Sequence, residues 1–135
     1  MMGLCRGKRV DNNEWVYGFY FCIHHNDDRK HLHHFIIPLN VPIPKDKPIG
    51  EIQVEVDTST IGQYTGLTAN GKKIFDGDIV RFSTPYCLYT APIVYQNGVW
   101  CADNKREASF TLYSIMKLTP EVIGNIHDNP ELLLI

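Results

Sequence analysis

Short segments in which apolar and polar residues alternate with a period of two most limit how this chain can fold. They occupy 15–23 (WVYGFYFCI), 31–37 (HLHHFII), 51–56 (EIQVEV), 78–82 (DIVRF), 91–95 (APIVY) and 121–126 (EVIGNI). Alternation is typical of a half-buried strand, because successive side chains of a strand point to opposite faces of the sheet. Many short strands in a chain of 135 residues predict a mainly β protein, built as a small barrel or pseudo-barrel.

Turn signals separate the predicted strands. Asn70-Gly71 and Asn97-Gly98 are typical two-residue hairpin turns, in which both residues take a positive φ. The stretches 26–29 (NDDR) and 76–78 (DGD) indicate two more turns. The strands are therefore expected to be joined mostly by short connections.

Helix is predicted only near the C-terminus. Asn129 can cap a short helical turn whose first position is Pro130. Residues 105–118 fit a strand or a helix equally well. Residues 38–48 carry four of the eight prolines, and because proline removes a ladder donor, an extended connector crossing between parts of the sheet is expected there. The length predicts a single domain over 1–135.

The charge balance and the cysteines narrow the functional classes. Thirteen Lys and Arg residues against fifteen Asp and Glu residues argue against a dedicated duplex-DNA binder, which usually has a strong basic excess. The four cysteines form no C-x-x-C pair, and no signal peptide or membrane-spanning run is visible. A cytoplasmic protein with reduced thiols and no membrane association is predicted.

Residues 22–34 (CIHHNDDRKHLHH) concentrate five of the six histidines and one of the four cysteines. If Asp27 and Asp28 form the turn of a hairpin, antiparallel pairing places residues 24, 22 and 20 opposite residues 31, 33 and 35. One face would then carry Tyr20, Cys22, His24, His31, His33 and Phe35, and the opposite, core face would carry Phe19, Phe21, Ile23, Leu32 and Ile36.

Two interpretations of this hairpin stay open. Cys22, His24, His31 and His33 suit Zn²⁺ or Cu²⁺ in ligand type, although parallel side chains on a flat ladder do not readily converge on one ion. The alternative is a solvated hairpin face, or an oligomer contact, that binds no metal and needs no cofactor. In either case histidines that titrate near pH ~6.5 would make the hairpin positive in mild acid.

Other chemistry-bearing residues have simpler interpretations. Asp76-Gly77-Asp78 could be paired carboxylates, but the triplet is typical of a turn before a strand. His127-Asp128 has poor geometry for a relay and precedes a helix start. No nucleophile elbow, Walker loop or dinucleotide fingerprint occurs, so no catalytic residue is predicted.

A stacking platform for single-stranded nucleic acid is a further alternative. The aromatic residues that could form it are Trp15, Tyr17, Phe19, Tyr64, Phe75, Phe82, Tyr95 and Trp100. The basic residues that could accompany them are Arg6, Lys8, Arg9, Lys72, Lys73 and Arg81. In a chain this short most of these rings are needed for the core.

Three blocks of the sequence identify a family more specifically together than separately. They are EWVYGFY at 14–20, TIGQYTGLTANGKKIFDGDIVRF at 60–82 and EVIGNIHDNPELL at 121–133. In this order and spacing the chain resembles the YopX family, small proteins encoded by bacteriophages and prophages. The resemblance implies an SH3-like barrel with additional strands. The biochemical function of that family is not established.

The residues that carry the resemblance mostly suit turns and caps. They are Gly62, Gln63, Thr65, Gly66, Gly71, Gly77, Asp78, Gly124, Asn125, Asn129 and Pro130. Only Gln63, Thr65 and Asp78 leave room for contact with a ligand or partner. The histidine hairpin lies outside the shared blocks, and position 127 is His where relatives more often carry an aromatic residue, which argues against a catalytic His127.

A non-enzymatic, phage- or prophage-encoded protein of the host cytoplasm is therefore expected. It would bind a second copy of itself and an unknown host or phage protein, with Tyr20 and Phe35 as contacts on an outward face. The alternatives are a nucleic-acid-binding accessory module and a metal-binding protein.

Overall fold

The mainly β class predicted from the sequence is confirmed. The computed structural model describes residues 3–25, 28–42, 45–46, 48–105 and 108–133. Within these residues the chain forms eleven strands and one short α-helix. It divides into two compact units, Met1–Gln63 and Tyr64–Ile135, and each has a hydrophobic cluster of its own. The single domain over 1–135 and the SH3-like closure of the sheet stay predictions.

The first unit is a sheet with the strand order β4-β3-β2-β1, in which all neighbours are antiparallel. Its strands are β1 (Leu4–Lys8), β2 (Trp15–His25), β3 (Asp28–Pro38) and β4 (Val54–Glu55). The first two residues of β5 (Gly62–Ala69) pair with β1. Val16, Ile36 and Val56 form the buried cluster of this unit.

The proline-rich connector differs from its prediction. It leads from the end of β3 at Pro38 to β4, and these two strands are antiparallel neighbours, so it joins adjacent strands instead of crossing the sheet. Its described residues form turns and bends; residues 43, 44 and 47 lie outside the described part of the chain. The strand predicted at 51–56 is shorter, because a 3-10 helix occupies Ile49–Glu51.

The second unit continues β5 and adds a hairpin and a five-stranded sheet of order β10-β9-β8-β7-β11. Its other elements are β6 (Lys72–Phe75), β7 (Asp78–Ser83), β8 (Leu88–Gln96), β9 (Val99–Asn104), β10 (Ala108–Thr111), α1 (Leu112–Ile115) and β11 (Glu121–Asn125). The buried residues Ile74, Val80, Ile93, Leu112 and Ile115 belong to its core.

The predicted turns of this unit are confirmed by their backbone angles. The φ values are 51° and 79° at Asn70 and Gly71, and 54° and 84° at Asn97 and Gly98. These are the positive angles that a two-residue hairpin turn requires. Gly77, in the predicted turn before β7, has a φ of 87°.

The ambiguous stretch 105–118 contains both predicted structures in succession. Residues Ala108–Thr111 pair with β9 as a strand, and the helix α1 begins at the next residue. The Thr111 hydroxyl oxygen accepts a hydrogen bond from the Ser114 amide at 3.3 Å, which caps the helix. The predicted C-terminal helical turn is confirmed as a 3-10 helix at Pro130–Leu133.

Candidate functional site

The histidine hairpin forms, but its predicted register is wrong by one residue. Cys22 lies opposite His34, and His24 lies opposite Leu32. The pairing is irregular between His24 and His25, and His25 pairs with Asp28, the first residue of β3. Of the predicted turn, Asn26 and Asp27 lie outside the described residues. A shift of one residue changes which side chains share a face, because strand side chains alternate.

The shift divides the predicted metal ligands between two faces. Directly paired residues share a face, so Cys22 and His24 lie with His34, whereas His33 pairs with Ile23 on the opposite face. His31, two residues before His33, follows His33 by alternation. In the described part of the chain, no three side chains of His, Cys, Asp and Glu form a group able to hold a metal ion. The four-ligand hypothesis therefore has no support in the geometry.

The predicted outward face with Tyr20 and Phe35 is also wrong. Tyr20 pairs with Ile36, a fully buried residue of the core, and Phe35 pairs with Phe21 on the other face. Phe35 is 7% exposed and stacks on Phe21 with ring centroids 5.5 Å apart. The β2 residues assigned to the core face by the sequence nevertheless include two exposed side chains, Phe19 and Ile23.

An apolar row on β2 is the most exposed hydrophobic feature of this sheet. Tyr17, Phe19 and Ile23 are 42%, 54% and 40% exposed, and they alternate along one face with the half-buried Phe21. We call Tyr17, Phe19, Phe21 and Ile23 the β2 outward row. Leu39 extends it, because the Leu39 amide donates to the Tyr17 carbonyl at 3.1 Å and its side chain is 53% exposed.

A groove of about 450 Å³ lies at the Trp15 end of the row. Its apolar walls come from Trp15 and Tyr17 of β2 and from Leu39 and Val41 beyond β3. Arg9 and Glu14 of the β1–β2 turn also line it, and the Arg9 amide donates to the Glu14 carbonyl at 2.9 Å. Trp15 and Tyr17 therefore belong both to this groove and to the face that carries the outward row.

Arg9, which lines the groove, forms an ion pair with Asp11. Arg9 donates to both carboxylate oxygens of Asp11, at 2.9 and 2.8 Å. This hydrogen bonding lowers the pKa of Asp11 and raises that of Arg9. Beside the groove, the Arg6 guanidinium and the Lys8 ammonium lie 4.7 and 5.4 Å from the centroid of the Trp15 ring.

The three candidate residues from the family blocks take different positions. Thr65 donates to the Ile74 carbonyl at 2.8 Å and accepts from the Leu67 amide at 3.2 Å. Asp78 is 3% exposed and accepts from the Phe75 amide at 2.7 Å. Both side chains therefore stabilise the backbone of the second unit. Gln63 is exposed on β5, in the first unit, and a ligand role for any of the three stays a prediction.

Near the C-terminus, Asn125 organises a turn. Its side-chain oxygen accepts from the amides of His127 and Asp128 at 3.0 and 2.9 Å, and its Nδ2 donates to the Asp128 carboxylate at 3.1 Å. This is the capping geometry that the sequence indicates for the residues after β11. Asp76-Gly77-Asp78 likewise forms the predicted turn between β6 and β7.

The sequence did not identify the β2 outward row or the groove. One feature of the sequence could have indicated the row: both alternating sets of residues in β2 are apolar. One set contains Phe19, Phe21 and Ile23, and the other contains Val16 and Tyr20. Such a strand cannot bury both faces in a small unit, so one of them reaches the surface.

No helix in the described residues is both long and apolar enough to cross a bilayer.

Comparisons with known proteins agree with the resemblance. The family model of the YopX protein matches residues 5–134. The crystal structure of protein EF1440 from Enterococcus faecalis is similar with a TM-score of 0.59 and 25% sequence identity, covering 98% of this chain and 99% of that one. Protein yopX from Bacillus subtilis is similar with a TM-score of 0.53 and 19% identity, covering 98% and 97%. A comparison with curated proteins found no match.

Proposed function

Because the chain belongs to the YopX protein family, we propose that it is a phage- or prophage-encoded binding protein without enzymatic activity. It acts in the cytoplasm of the bacterial host, where it associates with a second copy of itself and with a partner protein. The β2 outward row is the surface through which it binds.

The main support for this proposal is that apolar side chains of the row are exposed on a regular strand. Tyr17, Phe19 and Ile23 each keep at least 40% of their surface accessible, whereas Val16 and Gly18 on the opposite face of β2 are buried. Burial of apolar surface contributes about 25 cal/mol per Å², so an uncovered row on an ordered strand favours association. Exposed apolar patches of this kind mark protein interaction sites.

The chemistry of the row favours a protein over a nucleic acid as its occupant. No Lys or Arg lies among residues 17–23 of β2, and the chain as a whole carries a net charge of −2. Aromatic residues are enriched at the centres of protein interfaces, and charged residues are depleted there. Phe19 is the most exposed member of the row and lies within it, which makes it the expected anchor.

Sedimentation of two matched variants tests the proposal. Phe19→Ser removes the anchor of the row, whereas Tyr113→Ser removes a ring that is 83% exposed on α1 in the other unit. We expect the wild type and Tyr113→Ser to form the same oligomer, and Phe19→Ser to associate at least ~10-fold more weakly, as expected for an interface anchor. Equal association of all three proteins would reject the row as the interface.

A second function has one specific observation in its favour. Arg6 and Lys8 place their positive groups over Trp15, on the face that also carries Tyr17. Arg6 is buried, so Lys8 and the two rings are the groups that suit a single-stranded nucleic acid. Of the other predicted basic residues, Arg9 lies in the same unit, whereas Lys72, Lys73 and Arg81 lie in the second unit.

Titration with a labelled single-stranded oligonucleotide separates the two functions. A nucleic-acid module would bind with an affinity that falls steeply with salt, and Lys8→Ala would reduce the salt dependence. Absence of salt-sensitive binding would exclude the second function and leave the first unaffected.

A further inference from the structure

A thiol, a phenol and an imidazole meet on the face of the hairpin opposite to the β2 outward row. Cys22 of β2 lies directly opposite His34 of β3, and Tyr20 precedes Cys22 by two residues on the same face. The Tyr20 hydroxyl lies 2.6 Å from Nδ1 of His34, and the two rings stack with an interplanar angle of 11°. Three side chains with different donor atoms therefore lie next to one another on two adjacent strands, and two of them are in contact.

The cysteine belongs to this group as well. The pKa of Tyr20 is raised, first by burial and then by a hydrogen bond with the side chain of Cys22. Cys22 therefore neighbours both Tyr20 on its own strand and His34 on the adjacent strand. Cys22 is exposed, whereas Tyr20 and His34 are half-buried, so a small ion can enter from the side of the thiol.

These donors form a mixed set of one sulfur, one nitrogen and one oxygen atom. Thiolate sulfur and imidazole nitrogen are the preferred ligands of Zn²⁺, which also accepts oxygen donors. The third donor here is a phenol, and only two of the three residues are His or Cys. The register that separates Cys22 and His24 from His31 and His33 is the same register that brings Cys22 to His34.

We propose that Cys22 Sγ, His34 Nδ1 and Tyr20 Oη form a binding site for one zinc-type divalent cation, with the fourth coordination position open to solvent. On binding, the thiol and the phenol each release a proton to solvent, and the ion replaces the hydrogen bonds between the three side chains. The two anionic ligands then balance the double charge of the ion. An open fourth position is the arrangement of zinc sites that accept a further ligand.

This site is independent of the proposed binding surface, since it occupies the opposite face of β2. Its ligands also differ from those predicted by the sequence, because His34 takes the place of His31 and His33. The two metal hypotheses therefore predict opposite behaviour of His33 and His34 variants.

Titration of the full-length, reduced protein with Co²⁺ tests the site, because a cysteine ligand gives a thiolate-to-cobalt charge-transfer band. We expect the band to saturate at about one ion per chain and to be removed by added Zn²⁺. Cys22→Ser should abolish the band, whereas His34→Gln and Tyr20→Phe should weaken binding at least ~10-fold. Circular dichroism confirms that each variant is folded.

Two controls make the outcome decisive. Cys87→Ser removes the other exposed thiol, and His33→Gln removes a ligand of the sequence-based hypothesis; both should bind Co²⁺ like the wild type. The proposal is overturned if the wild type gives no band, or if Cys22→Ser retains it. A loss in His33→Gln that equals the loss in His34→Gln would also overturn it. If His34→Gln does not fold, the Cys22→Ser result decides, because that side chain is exposed.

Discussion

Gly18 of β2 lies so close to the backbone of Ile37 in β3 that a Cβ atom at position 18 would overlap the Ile37 carbonyl group. Ile36, the preceding residue, would be 3.0 Å away through its Cγ2. Two strands of the first unit therefore approach each other at a point where only glycine fits. This contact helps to fix the register of β2 against β3, on which both proposals depend.

Replacement of Gly18 by alanine is expected to be strongly destabilising. The backbone of Ile37 cannot give way as a flexible side chain can, so Gly18→Ala should lower the free energy of unfolding by about 3 kcal/mol. Urea unfolding measures the loss. Gly50→Ala is the matched control, since a Cβ atom there meets no atom within 4 Å, and a similar loss in both variants would contradict the role of the contact.

Gly124 and Asn129 should show coupled effects. A Cβ atom on Gly124 would lie 2.5 Å from Oδ1 of Asn129, which accepts a hydrogen bond from the Asn125 amide at 3.2 Å. Gly124→Ala should cost about 1–3 kcal/mol. Because Asn129→Ala makes room for the new methyl group, the double variant should lose about 1 kcal/mol less than the sum of the single losses. Simple additivity in a double-mutant cycle would show that the clash is absent.

Asp78 is expected to stabilise the fold of the second unit. Its buried carboxylate accepts from the Phe75 amide, so Asp78→Ala leaves a buried donor unsatisfied and should cost about 1–3 kcal/mol. Asp78→Asn keeps an acceptor oxygen and should cost less. If thermal denaturation gives Asp78→Ala the same melting temperature as the wild type, Asp78 does not stabilise the turn. A ligand role for Asp78 would then be favoured.

Thr119 is a place where the chain can be stabilised. It has φ 48° and ψ 65°, a left-handed conformation that a β-branched residue rarely adopts, at the end of the 3-10 helix Met116–Leu118. Asparagine tolerates this region, so Thr119→Asn should raise the free energy of unfolding by about 0.5–1 kcal/mol. Thr119→Ala is the control, because alanine retains the unfavourable φ. Equal gains from both substitutions would show that relief of backbone strain is not the cause.

The stability conferred by the Arg9–Asp11 pair should depend on pH. The pKa of Asp11 is lower in the folded protein than in the unfolded chain, with the hydrogen bond from Arg9 as its first cause. The pair therefore stabilises the fold above the unfolded pKa of about 4, and this contribution is lost as the pH falls through the lower, folded pKa.

Comparison of the wild type with Asp11→Asn tests this pH dependence. The difference between their melting temperatures should be present near pH ~6, shrink in high salt because the pair is exposed, and close near pH ~2. A difference that persists unchanged at the acidic pH would indicate another cause.

The sequence predicts the turns of this fold better than the arrangement of its strands. Asn70-Gly71 and Asn97-Gly98 determine their own backbone conformation, so local chemistry is enough to place them. The register of β2 against β3 is not local. Both sets of alternating residues in β2 are apolar, so burial alone does not choose between registers one residue apart.

The candidate sites depend on that register. An irregularity at His24 and His25, next to residues outside the described part of the chain, offsets the pairing from the one that a simple turn at 27–28 implies. The sequence therefore found the residues of the histidine hairpin, but it grouped Cys22 with His33 instead of His34. The exposure of Phe19 was missed because Phe19, Phe21 and Ile23 form an apolar set, which was assigned to the core.

Sedimentation equilibrium of the untagged wild-type protein over a wide concentration range tests the central claim most directly. We expect a mass that exceeds one chain and rises with concentration to a defined oligomer, driven by burial of the β2 outward row. A mass that stays at one chain across the whole range would contradict self-association through that row.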